Sequence, residues 1–238
     1  MDTFRIRRLL RRPWLVPRVV LSYVAPNHER FGRPWFRLPN GYISFRERGF
    51  VEAASPSSLL ARHNYEVLCI RRLLNGTSIG TSLEVGCGYG RLTPVLAGIA
   101  KEHVAIDVNR RALKQAHKAY PEYRFQVASV TELPFWAACF DFVTTWTVLQ
   151  HVGPGEIAGA CSELVRVLAP GGTLLICEEM KARAPEQQHR STNTWPRHVT
   201  EYAALLSQLD LIITDPLSEI SRLPGMRAPG TVALWRKP

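Results

Sequence analysis

The chain has 238 residues, 46% hydrophobic and 21% charged, with a formal net charge of +10. That suits one globular domain with a large core and an added arm, and no apolar run approaches the roughly 18 residues that a membrane span needs. The cysteine count is five, an odd number with no C-x-x-C pair, which argues against a disulfide framework or structural zinc and fits a reducing, cytoplasmic setting.

The charge is uneven. Residues 1 to 50 carry eleven arginines against Asp2, Glu29 and Glu47, a net +8, so the remainder is close to neutral. The start is basic then apolar, as in a signal peptide, but Pro13, Pro17 and Arg18 interrupt the apolar part and no small-residue cleavage site follows. Prolines at 13, 17, 26, 34 and 39 and the lack of a sustained period predict an arm over 1–55, with short helical pieces at 4–12 and 16–23. The folded domain is then expected over 56–238. It opens with a helix over about 57–74, preceded by Ser55 and Pro56 and stopped by Asn75-Gly76.

From Ser82 strands and helices alternate. "SLEVG" (82–86) is a buried strand, followed by a helical stripe of Leu92, Val95, Leu96 and Ile99. "HVAIDV" (103–108) is the second strand, and Asn109 caps a helix to about Ala119. "RFQVAS" (124–129) and "FDFVTTW" (140–146) are the third and fourth strands. A helix over 156–168 and the turn Pro170-Gly171-Gly172 lead to "TLLICEE" (173–179), the fifth. A helix near 200–209 precedes two closing strands, 211–217 and 231–237. The alternation predicts an α/β fold: a doubly wound, Rossmann-like, seven-stranded, mostly parallel sheet with helices on both faces.

In such sheets ligands lie at the carboxyl ends of the strands, near the switch in strand order. Gly86, Gly88 and Gly90 stand there as G-x-G-x-G, where backbone can approach a ligand closely. The spacing differs from the dinucleotide G-x-G-x-x-G and lacks the Lys-Ser/Thr pair of a P-loop. Asp107 ends the second strand, where a carboxylate can accept both hydroxyls of a ribose. The pair implies a nucleoside carrier without a phosphate site.

Five ordered segments resemble the motifs of class I S-adenosylmethionine-dependent methyltransferases: "LEVGCGYGRLTPVL", "AIDVN", "ASVTELPF", "FDFVTTWTVLQHV" and "VLAPGGTLLICE". The likeness runs from about 80 to 180 and is closest to the small-molecule members. It implies S-adenosylmethionine as cofactor, held by Glu84, Gly86, Cys87, Gly88, Tyr89, Gly90, Asp107, Val108, Ser129, Val130, Thr145 and Trp146. Glu84 would hold the glycine loop or the methionine amino group, or pair with an arginine such as Arg91. Tyr89 and Trp146 would face the sulfonium, or pack under the loop. The family usually has Asp where Ser129 stands, so the adenine edge would be read by a hydroxyl or by the Val130 N–H.

His151 stands near the expected methyl donor as a base for an acidic acceptor, or as a locally bonded histidine at a helix junction. The polar segment 180–198 suggests a substrate wall, with Arg190, Trp195, Arg197 and His198 as contacts. No histidine spacing suggests a metal site. Thr145-Trp146-Thr147-Val148 replaces the Asn/Asp/Ser-Pro-Pro-aromatic tetrad of nucleobase amino-methyltransferases. The expected partner is therefore a small-molecule acceptor. A protein or glycan acceptor ranks next, and nucleic acid or an anionic membrane surface, reached through the basic arm, is less favoured. The rival from another class is a non-catalytic binding module on the same fold. A nicotinamide-dependent reductase would need the wider glycine spacing and a Tyr-x-x-x-Lys, and the chain has neither.

Overall fold

The computed structural model of the protein describes residues 56–180, 194–217 and 230–238. The arm expected over 1–55, and Arg190, lie outside the described residues. The described residues divide between two compact units, one holding 56–75 and the other 76–217 with 230–238. In the first, helix α1 (Pro56–Leu73) has Pro56 at its start and Arg71 and Arg72 in its last turn, suiting the negative end of the helix dipole.

The second unit is a seven-stranded sheet. Its elements are β1 (Ile79–Val85), α2 (Thr93–Ala97), β2 (Ala100–Asp107), α3 (Arg110–Ala119), β3 (Arg124–Val127), β4 (Phe140–Trp146), α4 (Ile157–Val167), β5 (Leu168–Glu178), α5 (Val199–Leu205), β6 (Asp210–Asp215) and β7 (Thr231–Arg236). The strand order is β3-β2-β1-β4-β5-β7-β6. The five strands from β3 to β5 run parallel, and β7 runs antiparallel to both β5 and β6. The direction of winding reverses between β1 and β4, which opens a crevice at their carboxyl ends.

Local chemistry explains the boundaries. The Asn109 side chain accepts from Arg111 N and Ala112 N, both at 3.1 Å, and starts α3. α2 stops at Ala97, before Ile99 of the expected stripe, because Ala100–Glu102 already pairs with Ile79–Thr81 in the sheet. Lys237 Nζ donates to the carbonyls of Val165 and Leu168 at 2.8 and 2.7 Å, satisfying the end of α4. β6 forms where an apolar strand is expected, but as an edge strand with Leu211, Ile212 and Ile213 exposed.

The central strands are buried on both faces, as parallel sheets require. The main core joins Leu83, Ile106, Val143, Leu174 and Trp235 of the sheet to Leu164 of α4 and Tyr202 of α5. A smaller cluster of Cys87, Ala105 and Leu113, with Phe125 against it, underlies α3. Leu164→Ala opens a cavity in the main core and is expected to destabilise the protein by about 2–5 kcal/mol. Urea unfolding should show a lowered midpoint with an unchanged slope.

Candidate active site

The three glycines after β1 all have positive φ: Gly86 at 74°, Gly88 at 55° and Gly90 at 77°. They do different work. A Cβ on Gly86 would run into the side chain of Val148, in the turn after β4. A Cβ on Gly90 would press on Phe125, Tyr120 and Ala116 at 3.3–3.4 Å. Only at Gly88 would it meet nothing within 4 Å. Two glycines thus serve close packing within the protein, and the third leaves backbone open to the crevice. Cys87 between them is buried, and burial together with Glu84 and Asp107 pushes its thiol well above the usual range, so it is an inert spacer.

Two carboxylates fix this loop. Asp107, 7% exposed, accepts from Gly88 N and from Asn109 N, both at 2.7 Å. Each of its oxygens holds one backbone donor and keeps acceptor capacity for another. Glu84, buried within β1, accepts from the Thr93 hydroxyl at the head of α2 and lies 3.6 Å from His103 Nε2. His103 Nδ1 is in turn 2.7 Å from Ser82 Oγ. Glu84 thereby ties both ends of the 86–92 loop to the sheet. Tyr89 is half-buried in that loop.

Next to Asp107, Val108 is 64% exposed, an apolar side chain presented at the carboxyl end of the sheet. Val127 of β3, in register with Asp107, is exposed beside it. Ser129 lies beyond, and its hydroxyl is 2.8 Å from the Thr131 hydroxyl and accepts from Thr131 N, a local turn. Val130 is buried in the main core.

The opposite wall is the turn after β4. Thr147 takes φ 59°, unusual for a β-branched residue. Its N–H donates to the Cys177 carbonyl at 2.7 Å. Leu149–His151 then forms a single 3-10 turn. Beneath it lies Glu178, the last residue of β5, fully buried. Its carboxylate accepts from the Thr145 hydroxyl at 3.0 Å, Val148 N at 3.1 Å and Gln150 N at 3.0 Å. Burial raises its proton affinity and these donors oppose the rise, leaving it up at about 7.

From the other side, Arg197, 3% exposed, donates to the carbonyls of Leu149, Trp195 and Val152 at 2.9, 3.3 and 2.6 Å. Trp195 N donates to the Gln150 carbonyl, and Glu179 N to Gln150 Oε1. His198 caps α5: its Nδ1 accepts from Thr200 N while its own N–H donates to the Glu201 carboxylate.

The crevice therefore brings together the glycine loop, Asp107, Val108, Trp146 and the turn bearing His151. Trp146 is buried, and its Nε1 has no hydrogen-bond partner among the described residues. Thr145, expected at the cofactor, is fully buried with its hydroxyl on Glu178. Arg197 and His198, expected at the substrate, are engaged with backbone of the turn and of α5. Residues not singled out from sequence are Glu178, Val148, Thr93 and His103. One signal was present for Glu178: an acid directly ending the apolar run "LLIC" at the ligand end of a central strand.

The sequence model of a family described as "Methyltransferase domain" matches residues 83–176. A probable S-adenosylmethionine-dependent methyltransferase of Mycolicibacterium smegmatis is 28% identical over 75% of this chain and 67% of its own length. The malonyl-[acyl-carrier protein] O-methyltransferase of Salmonella typhimurium is 29% identical over 53% of this chain, which spans about half (49%) of that relative. Among solved structures, the N-methyltransferase NodS of Bradyrhizobium japonicum, in complex with S-adenosyl-L-homocysteine, superposes with a TM-score of 0.61. The superposition covers 83% of this chain and 98% of NodS at 22% identity.

Glu178 makes stability depend on pH. Its folded-state proton affinity, at about 7, exceeds that of an unfolded glutamate. The stability this group contributes is therefore full below about pH 4.3 and is lost as pH rises through 7. Wild type is expected to lose about 3 kcal/mol more than Glu178→Gln between about pH 5 and pH 8. Denaturant unfolding of both proteins across that range checks the difference.

Proposed function

We propose that the chain is a class I S-adenosylmethionine-dependent methyltransferase and that it methylates oxygen or nitrogen on a small-molecule acceptor by in-line displacement. The observation that carries the cofactor reading is Asp107. A buried carboxylate, held by two backbone N–H groups, keeps acceptor capacity for two ribose hydroxyls beside Gly88, the glycine of its loop that faces open space. The residues present fit the cofactor. Val108 offers an apolar face for adenine, and the buried indole N–H of Trp146, at the end of β4, has no hydrogen-bond partner among the described residues.

When bound, S-adenosylmethionine supplies a sulfonium methyl group whose departing thioether is neutral. The chain has no anion to stabilise at that sulfur. Its work is alignment and exclusion of water, which proximity and orientation supply. The glycine loop and the 147–151 turn form the two walls, and Val148 packed on Gly86 fixes their separation. Aromatic faces at Tyr89 and Trp146 tolerate a cation. His151, half-buried in the turn, is our candidate to take the proton from an acidic acceptor. Ser129 contributes little to reading adenine, because its hydroxyl already serves Thr131.

The small-molecule reading is supported by the Salmonella relative, named as a malonyl-[acyl-carrier protein] O-methyltransferase. The missing nucleobase tetrad after β4 also supports it.

Calorimetric titration of the full chain with S-adenosylmethionine and with S-adenosylhomocysteine tests the proposal, and micromolar binding of both is expected. Asp107→Ala removes a charged acceptor of two hydroxyls and should weaken either ligand at least about tenfold. Unchanged affinity in that variant would sink the ribose assignment.

A further inference from the structure

The geometry points to Glu178 as a positioning residue of the methyl-donor site: its carboxylate fixes the 147–150 turn and, through it, the seat of Val148 on Gly86. The inference deepens the S-adenosylmethionine reading of the crevice and rests on it.

Glu178 is fully buried, yet its recorded donors, Thr145 Oγ1, Val148 N and Gln150 N, are all uncharged. A buried carboxylate is expensive unless its lone pairs are filled. Here they are filled by the end of β4 and the turn that follows it. That turn needs such an acceptor, since past Thr147, at φ 59°, the N–H groups of Val148 and Gln150 are directed at Glu178 and not at a strand. The turn ends on the glycine loop: Val148 occupies the space that a Cβ on Gly86 would need. Displacing Val148 frees the loop that carries Gly88, which Asp107 holds from the end of β2. A carboxylate accepts all these donors at once. An amide or a protonated acid replaces one acceptor oxygen with a donor, which opposes an N–H of the turn. The ionised form is therefore the one that holds the turn closed.

The groups facing Glu178 leave it to titrate alone. They are Cys161 on α4, Tyr202 on α5 and Arg197 before α5. Burial pushes the Cys161 thiol up to about 12 and the Tyr202 hydroxyl up as well. An arginine keeps its charge throughout. His151, within the same turn, is a histidine, with an ordinary pKa near 6.5, and needs a control.

The test is S-adenosylhomocysteine affinity of the full chain, measured calorimetrically between about pH 5.5 and pH 8, with melting temperatures in parallel. Wild type should bind at least about tenfold more tightly at the high end, because ligand binding favours the ionised acid. Glu178→Gln at pH 8 should bind as weakly as wild type at pH 5.5 while melting no earlier than wild type, which a purely structural role would not produce. Thr145→Val removes one donor to the carboxylate and should move the midpoint of the affinity profile to higher pH. It carries the test if Glu178→Gln does not fold. His151→Asn should leave the midpoint in place. Wild-type affinity in Glu178→Gln at pH 8, or an unmoved midpoint in Thr145→Val, overturns the inference while leaving the cofactor reading intact. Absence of binding by wild type at every pH overturns both.

Discussion

A parallel sheet leaves unpaired backbone N–H groups where its strands give way to loops, and this protein meets that constraint with buried carboxylates. Asp107 gathers Gly88 N and Asn109 N, and so joins the loop after β1 to the end of β2. Glu84 anchors Thr93, where that loop becomes α2. Glu178 gathers Val148 N and Gln150 N below the turn after β4. Each acid stands on a strand, the rigid element, and each holds a loop. The crevice owes its shape to these ties together with the packing of Val148 on Gly86.

The turn at 147–152 shows how the ties cooperate. Its N–H groups meet an anion, Glu178, and its carbonyls at Leu149 and Val152 meet a cation, Arg197. The two charges lie on opposite sides of one short turn and complement its dipole as charged groups do at helix ends. Neither charge needs a direct ion pair, because the backbone between them serves as the partner of both. Truncating either would leave the other charge buried with its backbone partners displaced, the costly half of such an arrangement.

The sheet was legible in the sequence because its signals are redundant. Strands, helix starts and glycine turns recur in a fixed alternation, and the seven-stranded parallel-rich architecture follows from them. Asn109 as a cap and the stop at Asn75-Gly76 are local chemistry of the same kind. Side-chain partners across the chain were not legible. Glu178 and Val148 are 30 residues apart, and Arg197 and Leu149 are 48 apart. Nothing in the spacing says that they meet. The glycine motif is an instructive middle case. The need for backbone freedom at Gly86, Gly88 and Gly90 is readable, but what each glycine approaches is not, and for two of them it is the protein itself.

The same logic limits where acceptor specificity can lie. A basic or imidazole side chain after the fifth strand reads as a substrate contact, yet Arg197 and His198 are committed to the turn and to the start of α5. An arginine that is 3% exposed and donates to three carbonyls is committed to the turn and not to the open surface. Among the described residues at this end of the crevice, His151 and Trp195 are only half-buried and are carried on backbone that the clamp holds in place. The bonds from Glu178, Arg197 and Trp195 N to this turn are made through backbone, so a change of either side chain leaves them in place.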